Sequence, residues 1–376
     1  MRRSIILIFS VLLFCLSLGQ LFYGLSKHIS SPFVDFEVYY RAGRFFLSGL
    51  NPYSTAFPPM PLNYPPSSLP IFALWSLLSY PDAQLILTAT SFFFFLFSAV
   101  LLMQRLKIHK ALILLVSALL LQAFPTKFTL VLGQVNLILF SLLIFAFLSN
   151  WHGRKIFAGL LWGLASGIKL TPLSLGIYFF IRKDWWTLIS GILTFFFLNL
   201  ASFSLIPGSL SYYFTRLPIL ITLSQPPDSY SNQSLKIFFQ RLSLPLPDLL
   251  AAAVILLLIF FTVKNYLRQQ SAFAKKEAGL FNDLSFYSRL LILSVISQSV
   301  AWQHHFVLTF PAFILIAVRM LHRKKLFLIL ATVFSAFLIG LHFTDPARLT
   351  GVNPLLASHT TIGSILLFLI LTLRYN

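Results

Sequence analysis

Long apolar runs govern what this chain can become. Eight of them, at about 5–25, 83–104, 111–124, 128–149, 185–206, 247–267, 325–343 and 359–374, are read against the roughly 20 residues a helix needs to cross a bilayer. Two further runs, 156–181 and 287–319, are too long for one crossing. Polar residues interrupt both, Lys169-Leu170-Thr171-Pro172 in the first and Trp302-Gln303-His304-His305 in the second. In hydrocarbon a segment must satisfy its own backbone N–H and C=O groups, so runs of this kind dictate helices. Composition closes off the other classes: 58% of residues are hydrophobic and 10% charged, where a soluble domain carries roughly 25% charged residues. A soluble globular enzyme, a disordered chain and a disulfide scaffold are excluded. The lone Cys15 lies inside the first apolar run. The predicted fold is an all-α polytopic membrane protein, a single integral-membrane domain over residues 1–376.

Both ends of each long run are basic, with Arg154/Lys155 and Arg182/Lys183 around one and Arg289 and Arg319/Arg323/Lys324/Lys325 around the other. Matching flanks call for an even number of crossings. Each run is therefore predicted to be a hairpin of two short or tilted helices, which gives about 12 transmembrane helices. The piece 69–80 is too short to cross and is placed at the outer interface or as a re-entrant turn. A net charge of +19 would suggest nucleic acid in a soluble chain. Here most of the 28 Lys and Arg residues fall at one set of helix ends, as cytoplasmic ends require. Asp35, Glu37, Asp82, Asp228, Asp248 and Asp345 fall on the other side. The charge reads as topology and not as a nucleic-acid site, with both termini cytoplasmic. Met1-Arg2-Arg3 and the run after it lack a small-residue cleavage site, and read as an uncleaved first span.

Two outer loops, 26–82 and 207–246, are Pro-rich and far longer than plain connectors. Long ordered loops on one side of a scaffold usually carry function. The first begins Phe33-Val34-Asp35-Phe36-Glu37-Val38-Tyr39-Tyr40-Arg41. Phe36, Tyr39, Tyr40, Phe46 and Leu47 share one face, as an interfacial helix needs. Asp35 suits two roles. It can cap that helix, with Glu37 in the first turn, or it can serve as general base for an incoming hydroxyl at the lip of a membrane cavity. Spacing alone leaves both open. Asn51-Pro52-Tyr53 and Tyr64-Pro65-Pro66 read as rigid corners.

Gly133-Gln134-Val135-Asn136 opens the fourth span with two amides, which must bond either neighbouring helices or a polar ligand. A lysine at the depth of Lys169 is costly and normally faces a cavity or counter-ion. The helix start at Thr171-Pro172 beside it suits a phosphate, while a snorkelling lysine at a hairpin tip fits the same spacing. His304 and His305 are adjacent, so their rings point to different faces, and no nearby carboxylate or cysteine completes a ligand set. No metal and no cofactor are called for. A histidine donating to a phosphate oxygen is the preferred use. Asn232-Gln233-Ser234 matches a glycosylation sequon and equally suits a loop that offers amides to a sugar.

Taken in order, Asp35, Tyr39-Tyr40-Arg41-Ala42, Asn51-Pro52-Tyr53, Tyr64-Pro65-Pro66, Gly133-Gln134-Val135-Asn136, Ile168-Lys169-Leu170-Thr171-Pro172, Asn232-Gln233-Ser234-Leu235 and Trp302…His304-His305 form a constellation that resembles family 87 glycosyltransferases of the GT-C superfamily. The resemblance runs from about residue 1 to 320. It implies a polytopic enzyme that uses a polyprenyl-phosphate sugar, mannose foremost, and a lipid or glycan acceptor at the outer face, among membrane lipids. It also implies an inverting, metal-independent transfer with Asp35 as the catalytic base.

On that reading, polyprenyl phosphate leaves as the acceptor oxygen attacks the anomeric carbon, and cations must hold the phosphate charge. Lys169, His304, His305 and Arg41 are the candidates. Tyr39, Tyr64, Gln134, Asn136, Asn232 and Gln233 are expected to line the substrate site. A transporter or lipid-linked-sugar flippase is the alternative, because two broken helices also suit a transport site.

Overall fold

The computed structural model describes residues 2–27, 33–54, 61–223, 230–270, 276–322, 326–342 and 353–373. Asp228, Arg323, Lys324, Lys325 and Asp345 lie outside them. In chain order the helices are α1 (Arg2–Ser26), α2 (Val34–Leu47), α3 (Leu69–Ser76), α4 (Tyr80–Arg105), α5 (Lys110–Gln122), α6 (Phe124–Leu132), α7 (Asn136–Trp151), α8 (Lys155–Ile168), α9 (Gly176–Ile181), α10 (Trp185–Leu205), α11 (Leu217–Thr222), α12 (Leu235–Arg241), α13 (Pro247–Gln270), α14 (Lys276–Ile296), α15 (Phe310–His322), α16 (Leu326–Gly340), α17 (Pro354–Ala357) and α18 (His359–Thr372). Among the described residues the only strand-like pairing is an isolated antiparallel bridge, Asn232 to Trp302.

Among the described residues six helices are long and apolar enough to cross a membrane, or seven if α5 and α6, bent by 56° at their junction, form one span. Five shorter apolar segments of 10–17 residues accompany them. The protein is an integral, multi-pass, helical membrane protein. Large apolar side chains such as Ile189, Ile192, Phe196 and Phe197 on α10 stay exposed, the mark of a face that lipid covers.

The chain divides into two compact units. A loop unit comprises Cys15–Leu102 and Lys127–Thr222, and a terminal unit comprises Met1–Phe14, Met103–Thr126 and Leu223–Asn376. The loop segment 207–246 is divided between them. Its first part, through α11, belongs to the loop unit, whereas Tyr230 and α12 belong to the terminal unit.

In the loop unit, the first long apolar run is broken where its polar residues stand. Chain leaves α8 at Ile168, Lys169 is extended (φ −147°, ψ 137°), and Thr171–Leu175 makes a 3₁₀ turn before α9. The two ends of this hairpin meet at one acid. Lys155 Nζ lies 2.5 Å from Asp184 Oδ1, and Arg182 Nε donates to Asp184 Oδ2 at 2.9 Å. Glycines let α8 pack tightly on α10, for a Cβ on Gly163 would strike the backbone of Gly191. The short helix α3 lies against α2, with Ser76 donating to the Tyr40 carbonyl at 2.7 Å.

Two expectations need correction. The run 128–149 is not one helix: it stops at Leu132 and restarts at Asn136, because Gly133 is left-handed (φ 68°) and turns the chain. Arg289 does not flank a span. It sits well inside α14, 1% exposed, with Nε donating to the Ser285 carbonyl at 3.2 Å. A guanidinium that bonds its own helix backbone can stay inside an apolar run, so its charge says nothing about a helix end.

Candidate active site

The loop unit gathers its polar residues around Asp35. The acid occupies the first turn of α2, whose cap residue is Phe33 and has no side-chain cap bond. Asp35 is therefore not a cap. Its Oδ2 instead accepts a hydrogen bond from Gln134 Nε2 at 2.7 Å. Phe33 N donates to Gln84 Oε1 at 3.1 Å, which anchors the entry of α2 to α4.

Gly133 explains how a residue so distant in sequence reaches the acid. A Cβ at that position would collide with the Cβ atoms of Phe33, two residues before Asp35, and Phe36, directly after it. The corner at 133 is thus pressed directly against the start of α2. The left-handed turn aims the next side chain, Gln134, at the carboxylate.

Gln134 is 7% exposed and its carbonyl side is also engaged. Tyr39 Oη donates to Gln134 Oε1 at 2.7 Å and Tyr64 Oη does so at 3.1 Å, while the two hydroxyls lie 2.6 Å apart. Tyr39 is fully buried on α2 and stacks on Phe72 with ring centroids 4.8 Å apart. Tyr64 stands before the Pro65-Pro66 corner. Ser67 Oγ donates to the Gly167 carbonyl at 2.9 Å, and Ser202 Oγ to the Pro66 carbonyl at 2.5 Å, so that corner is tied to α8 and α10. Tyr53 Oη donates to the Tyr64 carbonyl at 2.8 Å. Sequence reading treated Asn51-Pro52-Tyr53 as a turn alone and missed this positioning contact. A tyrosine hydroxyl inside a rigid Pro-rich loop was the available signal.

Asn136 and Lys169 complete the group. Lys169 Nζ donates to Asn136 Oδ1 at 3.4 Å. Asn136 is 1% exposed, and its Nδ2 has no hydrogen-bond partner among the described residues. Asp35 is half-buried, and burial pushes its carboxyl above the usual carboxylate range. The Gln134 bond and the charge of Lys169 oppose that shift.

Arg41 is placed differently from expectation. Its guanidinium faces Glu37, one turn earlier on α2, with Nη2 2.5 Å from Oε1. A neighbouring carboxylate one helical turn away is a ready partner for it.

The other predicted residues lie in the terminal unit. Asn232 and Gln233 are wholly buried and spend their amides on the chain itself. Asn232 Oδ1 accepts from Ala301 N (2.9 Å) and Ser234 N (3.1 Å), and its Nδ2 donates to the Ser299 carbonyl (3.1 Å). Gln233 Nε2 donates to the carbonyls of Tyr230 and Ala357, both at 2.7 Å, and its Oε1 accepts from Thr360 N at 3.2 Å. These amides hold a loop instead of offering themselves to a sugar, and the buried sequon is closed to modification.

His304 and His305 follow on a 3₁₀ turn, Gln303–Thr309, both buried, with rings 4.6 Å apart and nearly perpendicular. Among the described residues no three His, Cys, Asp or Glu side chains converge as a metal set would. His359, which sequence reading passed over, bonds Gln303 at the start of that turn. Its Nδ1 lies 2.6 Å from the Leu338 carbonyl and so carries the proton, which makes Nε2 the acceptor for Tyr230 Oη (2.8 Å) and Gln303 Nε2 (3.4 Å).

These observations describe a polytopic helical membrane protein whose loop unit brings together the half-buried Asp35, two amides and a lysine. The chain belongs to glycosyltransferase family 87, whose family model matches residues 62–282, more than half of its length. It is an enzyme, and the match sets the transporter alternative aside. The matched segment includes Tyr64, Gln134, Asn136, Lys169, Asn232 and Gln233, whereas Asp35, Tyr39, Arg41, His304 and His305 lie beyond it.

Over 322 residues the chain is 24% identical to a polyprenol-phosphate-mannose-dependent alpha-(1-2)-phosphatidylinositol mannoside mannosyltransferase of Mycolicibacterium smegmatis (strain ATCC 700084 / mc(2)155), covering 78% of this chain and 71% of the relative. It also aligns with the crystal structure of ArnT from Cupriavidus metallidurans bound to undecaprenyl phosphate, at 15% identity and a TM-score of 0.47, over 96% of this chain and 76% of that one.

Proposed function

We propose that this protein transfers a hexose, mannose foremost, from a polyprenyl-phosphate sugar to a hydroxyl of a lipid or glycan acceptor, with Asp35 as general base. The bond from Gln134 to Asp35 carries this reading. It leaves the carboxylate half-buried, held in place and uncommitted to helix capping. The relative's dependence on polyprenol-phosphate mannose supports the choice of donor and sugar.

In the proposed step the acceptor oxygen attacks the anomeric carbon while Asp35 takes its proton and the bond from that carbon to the phosphate oxygen breaks. One direct displacement inverts the anomeric centre. The leaving phosphate is a weak base, so a single carboxylate suffices, in contrast to glycoside hydrolysis, where two share the work. Lys169 stands for the cation beside the phosphate, since charge-assisted bonds are the strong ones. Asn136 Nδ2, a buried donor without a partner among the described residues, is offered to a donor oxygen. No metal is invoked in this step. The site is assigned to the outer face, with both termini cytoplasmic, on the distribution of basic residues.

The test is transfer by purified protein from a radiolabelled polyprenyl-phosphate hexose across a panel of donors and acceptors. A new glycosidic product that disappears in Asp35→Asn supports the reading. Full product formation by that variant would remove Asp35 from the chemistry.

A further inference from the structure

Gln134 was expected to touch substrate, yet its bonds run to the protein. Its carbonyl oxygen faces two phenols and its amide nitrogen faces a carboxylate. An ionised carboxylate can only accept, so the nitrogen must point at Asp35, and phenol hydroxyls can donate to the oxygen. The amide therefore has one allowed orientation. Two hydroxyl protons serve three close contacts, Tyr39 to Gln134, Tyr64 to Gln134 and Tyr39 to Tyr64. The pair of phenols consequently acts as one unit that pins the amide.

Resting on Asp35 as the base, we propose that Gln134 is a positioning residue for the transfer: its Nε2–H holds Oδ2 of Asp35 in place and leaves Oδ1 as the oxygen that receives the acceptor's proton. The arrangement follows the logic of a base oriented by a third group that is itself oriented. Its four parts come from three separate stretches of chain. Asp35 and Tyr39 lie on α2, Gln134 on the Gly133 corner, and Tyr64 on the Pro-rich loop held to α8 and α10. A carboxylate fixed at one oxygen loses little freedom at the moment of reaction, which is where positioning gains rate.

The groups that act on Asp35 are Gln134, Tyr39, Tyr64 and Lys169. Burial raises both tyrosines above their ordinary range, so they stay neutral through the working pH. A lysine gains charge on acidification, so Lys169 produces no loss on the acid side. The acid limb of a pH–rate profile thus reports Asp35. A bond to the charged carboxylate favours ionisation, so its loss must move that limb upward.

The experiment compares pH profiles of kcat/KM for wild type, Gln134→Met and Gln134→Glu, using the donor found active in the transfer assay. Gln134→Met keeps the length and removes both sets of bonds. Its acid limb should rise by about one to two pH units, with kcat on the plateau down about 10-fold or more and the donor KM little changed. Gln134→Glu keeps the acceptor for the phenols and sets a second carboxylate against Asp35, so its limb should rise further. An acid limb that stays in place in both variants would overturn the proposal, whether or not turnover falls. If neither variant folds in detergent, Gln134→Asn takes over: it draws the amide back from Asp35 by one methylene, and an upward limb supports the proposal while an unmoved one refutes it. Asp35→Asn separates the two readings. Turnover retained there sinks the base itself, whereas turnover lost there with an unmoved limb in Gln134→Met sinks only the role of Gln134.

Discussion

Two pairs of buried amides, Gln134 with Asn136 and Asn232 with Gln233, look alike in sequence, and the protein uses them in opposite ways. In the terminal unit, Asn232 and Gln233 between them bond the backbone at Tyr230, Ser234, Ser299, Ala301, Ala357 and Thr360. Arg241 adds bonds from Nη1 to the Ala357 carbonyl (2.9 Å) and from Nη2 to the Asn232 carbonyl (3.0 Å). In the loop unit, Gln134 bonds side chains only, and Asn136 keeps a buried Nδ2 without a partner among the described residues. Amides that bond backbone close a structure. On the proposed reading, amides that bond ionisable side chains, or hold a donor in reserve, prepare chemistry. The same residue type would then serve the reaction in one unit and the architecture in the other, and what surrounds it decides which.

Substitutions can break that comparison. The largest effect is expected at Asp35. Asp35→Asn keeps the size of the side chain and cannot take a proton, so turnover should fall about 10²- to 10⁴-fold. Thermal stability in detergent should stay close to wild type, since no cap is lost. A stability loss that matches the activity loss would place Asp35 with the architectural residues.

Gln233→Ala should show the reverse pattern. It removes the bonds from Gln233 to the carbonyls of Tyr230 and Ala357 and from the N–H of Thr360, and each buried group left without a partner costs about 1–3 kcal/mol. The measurable outcome is a clear drop in melting temperature, with the donor KM of the folded fraction unchanged. A stable variant with a raised donor KM would move Gln233 to the functional side.

Lys169→Ala removes the cation next to Asn136. Loss of one charged hydrogen bond is worth about 1.5–3 kcal/mol, or roughly 10- to 150-fold in donor use. Normal kcat/KM for the donor would put the phosphate site elsewhere.

The pH profile sharpens the same contrast. Burial holds the Asp35 carboxyl above the ordinary carboxylate range. Below its raised pKa the group is protonated and cannot accept the acceptor's proton. Activity should therefore fall on acidification at a higher pH than an exposed aspartate would give, and this limb should be absent from any residual activity of Asp35→Asn.

The smallest effect is expected from Glu37→Gln. Glu37 pairs with Arg41 on a partly exposed helix face, and such pairs are worth about 0–1 kcal/mol. Turnover within about two-fold of wild type is the expected result; a collapse there would shift the search for the base to Glu37.

Much of the scaffold was written in the residues. Apolar runs of spanning length, with lysines and arginines at their ends, demand helices in lipid, because the backbone has no other partner there. The polar interruption at Lys169 marked a break, and the chain does turn back, its ends meeting at Asp184. These features depend on local sequence and on a uniform solvent, so a linear reading reaches them. The interior of α14 was harder, since Arg289 looks like a flank in sequence and is buried within the helix in the structure.

What tertiary structure alone decided is which polar residue faces which. Asp35 and Gln134 are 99 positions apart and meet because Gly133 turns left-handed against Phe33 and Phe36. Asn232 and Gln233 carry the same donors and acceptors as the first amide pair, yet they meet backbone. Nothing in their own stretch of sequence distinguishes the two cases. A hydrogen bond depends on geometry within about 3 Å, and only the folded chain sets distances that fine between residues so far apart.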